Sequence, residues 1–163
     1  MKKKVFLGID TSCYTTSVAV IDEAGELVGE ARKILDVKPG RCGLQQSEMV
    51  FQHTRNLPNL MEEVLTGKAY EIVAIGVSGY PRPIENSYMP AFVAGTGVAR
   101  TLAAATGAEL HIVSHQENHL EAGVWSAGGP KVDRFLLLHA SGGTTDMLLA
   151  EKQEDGRFKL TEV

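Results

Sequence analysis

His115 and His119 stand four residues apart in Val-Ser-His-Gln-Glu-Asn-His-Leu-Glu, residues 113–121. On a helix that spacing stacks two imidazoles on one face, a turn apart. At a helix N-terminus the dipole disfavours imidazolium, so such rings tend to stay neutral and free to ligate a divalent metal. The spacing fits equally well two histidines that only cover a helix surface. Glu117 argues against one kind of metal chemistry. In HExxH proteases the general base directly follows the first histidine, whereas Glu117 lies two residues on, roughly 200° around the helix. Two turns offer a second chemistry, Asp10-Thr11-Ser12-Cys13 and Ser141-Gly142-Gly143-Thr144. Turns of this composition aim several backbone N–H groups at one spot, where a phosphate fits. Asp10 adds a carboxylate able to hold a magnesium ion bridging nucleotide phosphates. Each loop alone reads as readily as a tight hairpin turn with local hydroxyl bonds. Neither is a Walker loop, and no GxGxxG occurs.

The elements that must position these residues follow from patterning. Leu110, Ile112 and Val113 mark a short strand over Glu109–Val113, and Ser114 with Glu117 forms a capping box that starts the histidine helix. Upstream, Val5–Asp10, Ser17–Ile21 and Glu26–Ile34 read as three antiparallel strands, with a tight turn at Glu23-Ala24-Gly25. Residues 36–46 are polar and Gly-rich, a loop. Apolar periodicity from Ser47 predicts a helix to Gly67, kinked at Pro58. Glu71–Ser78 is an apolar strand, broken by Gly79-Tyr80-Pro81-Arg82-Pro83. An Ala-, Gly- and Thr-rich helix runs from Pro90 to Thr106, its small residues allowing close approach to the sheet. Alternating strands and helices imply right-handed crossovers and a mixed sheet covered by helices. Ala127-Gly128-Gly129-Pro130 marks the clearest boundary.

Beyond that boundary the chain echoes its own start. Phe6-Leu7-Gly8-Ile9-Asp10-Thr11-Ser12 through Thr15-Thr16 matches Phe135-Leu136-Leu137-Leu138-His139-Ala140-Ser141 through Thr144-Thr145 at a constant offset. Paired Phe, Ser and Thr-Thr positions and equal loop lengths favour a duplicated unit over chance. The expected organisation is a first domain over residues 1–130 and the opening strands of a truncated second over 131–163. The two hydroxyl-rich loops would then face each other across a cleft.

Length and composition set the bounds. The chain has 163 residues, 44% hydrophobic and 22% charged, enough to bury a core in one domain or slightly more. A formal net charge of −4 supplies no overall basic field, so any contact with nucleic acid needs a local patch or a partner. The apolar run after Lys2-Lys3-Lys4 is too short for a signal peptide or a membrane span, and a cytoplasmic location without membrane contact is expected. Cys13 and Cys42 lack CxxC spacing and are expected as free thiols.

Gly8-Ile9-Asp10-Thr11-Ser12-Cys13, Val-Ser-His-Gln-Glu-Asn-His and Ser141-Gly142-Gly143-Thr144-Thr145, in this order and spacing, resemble the amino-terminal half of the TsaD family. Its members were formerly called glycoproteases or O-sialoglycoprotein endopeptidases. The resemblance spans nearly the whole chain and implies ribonuclease-H-like domains of the actin and sugar-kinase superfamily. It further implies metal- and nucleotide-dependent transfer of a threonylcarbamoyl group to N6 of an adenosine in transfer RNA. His115 and His119 would ligate iron or zinc. Asp10, Thr11 and Ser12 would line one wall of a site for ATP or an acyl-adenylate, and Ser141, Gly142, Gly143 and Thr144 the other. The metal would act there as Lewis acid and template.

The chain also departs from that family. Tyr14-Thr15-Thr16 replaces an acidic continuation of the first motif, Tyr80–Tyr88 replaces a Gly- and Pro-rich turn, and Thr144 stands where histidine is common. A third metal ligand, an aspartate of the carboxy-terminal domain, has no position here. These departures point to a diverged paralogue, and the unfinished repeat to a fragment, expected to be inactive alone. The alternative is a non-catalytic paralogue or partner subunit of a tRNA-modification complex. A metallopeptidase is the third reading, weakened by the position of Glu117. The strands of residues 134–162 are expected to pack back on the first sheet or to form a homodimer through an exposed edge.

Overall fold

The computed structural model describes residues 2–140 and 145–163. Strand β1 (Lys3–Asp10) pairs antiparallel with β2 (Thr15–Asp22), and β2 with β3 (Leu27–Ile34). Helix α1 (Gln46–Leu65) leads to β4 (Tyr70–Tyr80), which runs parallel to β1. Helix α2 (Ala91–Thr106) then crosses to β5 (Glu109–Ser114), parallel to β4, and α3 (His115–Ala127) follows directly. The sheet order is β3-β2-β1-β4-β5, a mixed sheet opened by three antiparallel strands. Strands β6 (Arg134–Ala140), β7 (Thr145–Lys152) and β8 (Phe158–Glu162) form a second, antiparallel sheet in the order β6-β7-β8.

Alternation along the strands decides which face is dry. Val5, Leu7 and Ile9 of β1, Val18 and Val20 of β2, and Ile75 and Val77 of β4 point to one side. There they meet Leu57, Leu60 and Val64 of α1 and Ala99 of α2 in one core. Burying such side chains stabilises by about 1.5–3 kcal/mol each. Helix α1 runs unbroken through Pro58, which faces solvent. On the opposite face lies α3, whose Trp125 donates to the carbonyl of Gly25 at the β2–β3 turn. Both ends of α3 are capped as its sequence requires. Ser114 and Glu117 close a reciprocal capping box, and Gly128 ends the helix in the left-handed conformation at φ 68°. No helix among the described residues is long and apolar enough to cross a membrane.

The two hairpins that echo each other in sequence share one register. Phe6 pairs with Ile21, and Phe135 with Ala150; Asp10 pairs with Ser17, and His139 with Asp146. At the same offset, His139 therefore takes the place of Asp10, and Asp146 that of Ser17.

Candidate metal centre

Helix α3 begins where β5 leaves the sheet, so its first turn stands over the carboxyl ends of β1 and β4. His115 and His119 occupy that turn and the next, with ring centroids 4.2 Å apart. From the second sheet β6 brings His139, its ring 5.2 Å from that of His119 and 6.1 Å from that of His115. One ligand atom of each histidine lies within 4.8 Å of the others, the only such group of His, Cys, Asp or Glu among the described residues. The i, i+4 pair expected from the sequence is thus brought together with a third imidazole that its spacing did not reveal. The signal that could have found it was the internal echo, which sets His139 opposite Asp10.

Asp10 ends β1 at the side of His115. Its Oδ1 accepts from the Ser12 N–H at 2.8 Å, and its Oδ2 from Ser78 Oγ at 2.6 Å and Asn118 Nδ2 at 3.0 Å. His115 Nδ1 lies 3.3 Å from the same Oδ2. Burial opposes ionisation of this carboxyl, but the hydrogen bonds from His115, Ser12 and Ser78 together outweigh it and hold Asp10 far below the usual carboxylate range. An ionised Asp10 only accepts, so the hydrogen shared between them is carried by His115 Nδ1. His119 is held below the ordinary imidazole value by burial, then by repulsion from His115 and His139. His139 is lowered by burial first and by His115 next. Neutral imidazole is the form that binds metal.

His139 is 9% exposed, and its Nδ1 is buried without a hydrogen-bond partner among the described residues. Across the hairpin stands Asp146, also 9% exposed, with Oδ2 3.9 Å from that nitrogen. Arg82, from the segment after β4, donates to Asp146 Oδ1 at 3.2 Å, and Gln116 of α3 to Oδ2 at 3.0 Å. None of these three was singled out by sequence reasoning. They meet only through tertiary pairing.

Of the other expected site residues, Ser12 lines a cavity of about 590 Å3 together with Asp10, His115 and His119. Thr11 is placed differently. Its side chain is fully buried, donating to the Ala91 carbonyl at 2.9 Å and accepting from the Gly95 N–H at 3.1 Å, which ties β1 to α2. Ser141, Gly142, Gly143 and Thr144 lie outside the described residues. Cys13 and Cys42 are free thiols. Glu117 is engaged in the helix cap, its carboxylate accepting from the Ser114 N–H at 2.7 Å. A separate groove of about 300 Å3 between the end of β3, the following loop and α1 is lined by Lys33, Lys38, Arg41 and Arg55, with Asp36 and Glu48 as its acids. The Arg55 guanidinium lies 5.5 Å from the centre of the exposed Phe51 ring at its rim.

No family model matches this sequence. The chain is 28% identical over 158 residues, 96% of its length, to a tRNA N6-adenosine threonylcarbamoyltransferase of Methanopyrus kandleri, and covers 44% of that protein. It spans less than half the length of the curated relatives it matches first. Among solved structures, YeaZ from Pseudomonas aeruginosa superposes with a TM-score of 0.58 at 19% identity, over 98% of this chain and 66% of that one. A ROK family glucokinase from Streptomyces griseus superposes with a TM-score of 0.53 at 14% identity, over 97% and 48%. These likenesses show that the chain shares its α/β fold with YeaZ and with a sugar kinase, in line with the α/β architecture expected from the sequence. Over nearly its whole length, then, this chain is similar to the tRNA N6-adenosine threonylcarbamoyltransferases, and covers less than half of them.

Proposed function

We propose that this chain forms the metal-binding wall of a TsaD-like tRNA N6-adenosine threonylcarbamoyltransferase, with His115, His119 and His139 as ligands of iron or zinc. The observation that supports this most is the third histidine, delivered from a separate sheet to the helical pair. The residues fit such an ion. Three imidazoles suit zinc or iron, and burial keeps His119 and His139 neutral. Bound there, the metal would supply a Lewis acid for the acyl group being transferred.

The chain's own residues supply the rest. Asp10 fixes the His115 ring by accepting its Nδ1–H, and Ser78 and Asn118 hold Asp10 in turn. Ser12 borders the cavity beside the histidines. With the loop Ser141–Thr144 it would face the phosphate of ATP or an acyl-adenylate, with magnesium held near Asp10 if the nucleotide brings it. Thr11 serves this wall from behind by anchoring the turn to α2. The basic groove with Phe51 gives the tRNA substrate a phosphate-binding surface on a chain that is acidic overall. On this reading residues 131–163 open a second domain, and Leu136, Leu138 and Met147, exposed on its sheet, await cover from the rest of that domain or from a paralogous subunit.

Isothermal titration of zinc or iron(II) into the chain tests the reading. One equivalent should bind, and His139→Ala should weaken binding at least tenfold. No binding, or binding indifferent to His139, would overturn it and favour the non-catalytic partner subunit.

A further inference from the structure

The two carboxylates near the histidines occupy matching roles. Asp10 orients His115 through Nδ1, and the repeated hairpin places Asp146 beside Nδ1 of His139. Asp146 and His139 are direct cross-strand partners, so their side chains leave the hairpin on one face. Arg82 and Gln116 already bond the Asp146 oxygens, fixing the carboxylate and compensating its charge in a site that is 9% exposed. The 3.9 Å gap exceeds a hydrogen bond, and a small rotation of the imidazole closes it. The only buried side-chain polar atom without a partner among the described residues is the His139 nitrogen that faces this carboxylate. Arg82 comes from the segment between β4 and α2, so the clamp ties the first sheet's connection to the hairpin that carries His139.

We propose that Asp146, clamped by Arg82 and Gln116, is the positioning residue for His139. It holds Nδ1 protonated, so that Nε2 presents its lone pair toward His115 and His119. The inference rests on the metal reading above for its purpose, but its direct consequence is a tautomer, measurable without metal. Ligand histidines held this way by a carboxylate typically lose 10–100-fold in metal affinity when the carboxylate is replaced.

Two measurements on the metal-free and cobalt-loaded chain decide it. In 15N-resolved imidazole spectra of the metal-free protein, His139 should be the Nδ1–H tautomer, and Asp146→Asn should shift it to a mixture or to Nε2–H. Cobalt(II) affinity should fall ten- to a hundredfold in Asp146→Asn, with a changed visible band, and recover in part in Asp146→Glu. Arg82→Gln, which frees the carboxylate without removing it, should lower affinity less, and it stands in if Asp146→Asn fails to fold. An Nε2–H tautomer in the unsubstituted chain, or a tautomer and affinity unmoved by these changes, would overturn the assignment. If the unsubstituted chain binds no cobalt, the metal reading falls while the tautomer still decides the role of Asp146.

Discussion

His53 shows how one residue can be fixed by what surrounds it rather than by its own motif. It is fully buried on α1, its Nε2 3.0 Å from the Cys13 carbonyl and its Nδ1 2.8 Å from Thr16 Oγ1, which also accepts from Asn56 Nδ2 at 3.2 Å. A carbonyl only accepts, so Nε2 carries the proton and the threonine hydroxyl donates to Nδ1. Burial, partly offset by the Cys13 carbonyl, holds the folded-state pKa below the ordinary 6.5. As pH falls, the unfolded chain takes up this proton first. His53's contribution is therefore complete above about 6.5 and is lost as pH drops through the lowered folded value. His53→Ala should cost roughly 3 kcal/mol at neutral pH, from a cavity and two stranded polar groups. It should also flatten the acid-side slope of stability in denaturant titrations. Sequence periodicity placed a helix over this stretch, but not the bonds of His53 to Cys13 and Thr16, which span some forty positions and exist only once α1 lies against the β1–β2 hairpin.

Between elements, α2 comes close against the turn after β1. A Cβ on Gly95 would stand 2.8 Å from Thr11 Oγ1 and 3.3 Å from its Cγ2, and Thr11 is buried and bonded to Ala91, with nowhere to move. One turn-half along the same helix, a Cβ on Gly97 meets nothing within 4 Å. Gly95→Ala should therefore lose roughly 1–2 kcal/mol despite the better helix propensity of alanine, and Gly97→Ala gain about 0.5–1 kcal/mol. Urea unfolding midpoints moving in opposite directions would bear out the contrast. At this scale the sequence was informative where signals are local. The capping box at Ser114 and Glu117, the glycine end of α3 and the two hairpins lie where patterning put them. Strand ends were less legible, since β4 continues to Tyr80 past the expected Ser78 because, after a register shift, Tyr80 pairs with Ser114. Long-range polar partners were not legible at all. Nothing in the local pattern of Tyr80–Tyr88 announces that Arg82 will meet Asp146, because that contact depends on how a second sheet seats against the first.

For the molecule as a whole, charge is distributed against its own sum. With a formal net charge of −4, Lys33, Lys38, Arg41 and Arg55 nonetheless share one groove with an exposed aromatic ring. If the groove follows an RNA backbone, replacing Arg41 and Arg55 together by alanine should weaken tRNA binding and reduce the slope of log affinity against log salt by about one to two. Filter-binding or anisotropy titrations at several ionic strengths measure both. An unchanged slope would remove the groove from the substrate path and leave the histidine site unaffected.

The shared register of the two hairpins has a consequence for direction. Two strands of one pattern and one register can hold different side chains at the same address. At this address the first hairpin carries a carboxylate and the second an imidazole, with His115 between them. His115 therefore has unlike neighbours on its two sides, a carboxylate that accepts its hydrogen and a second imidazole, an asymmetry that two identical hairpins could not give.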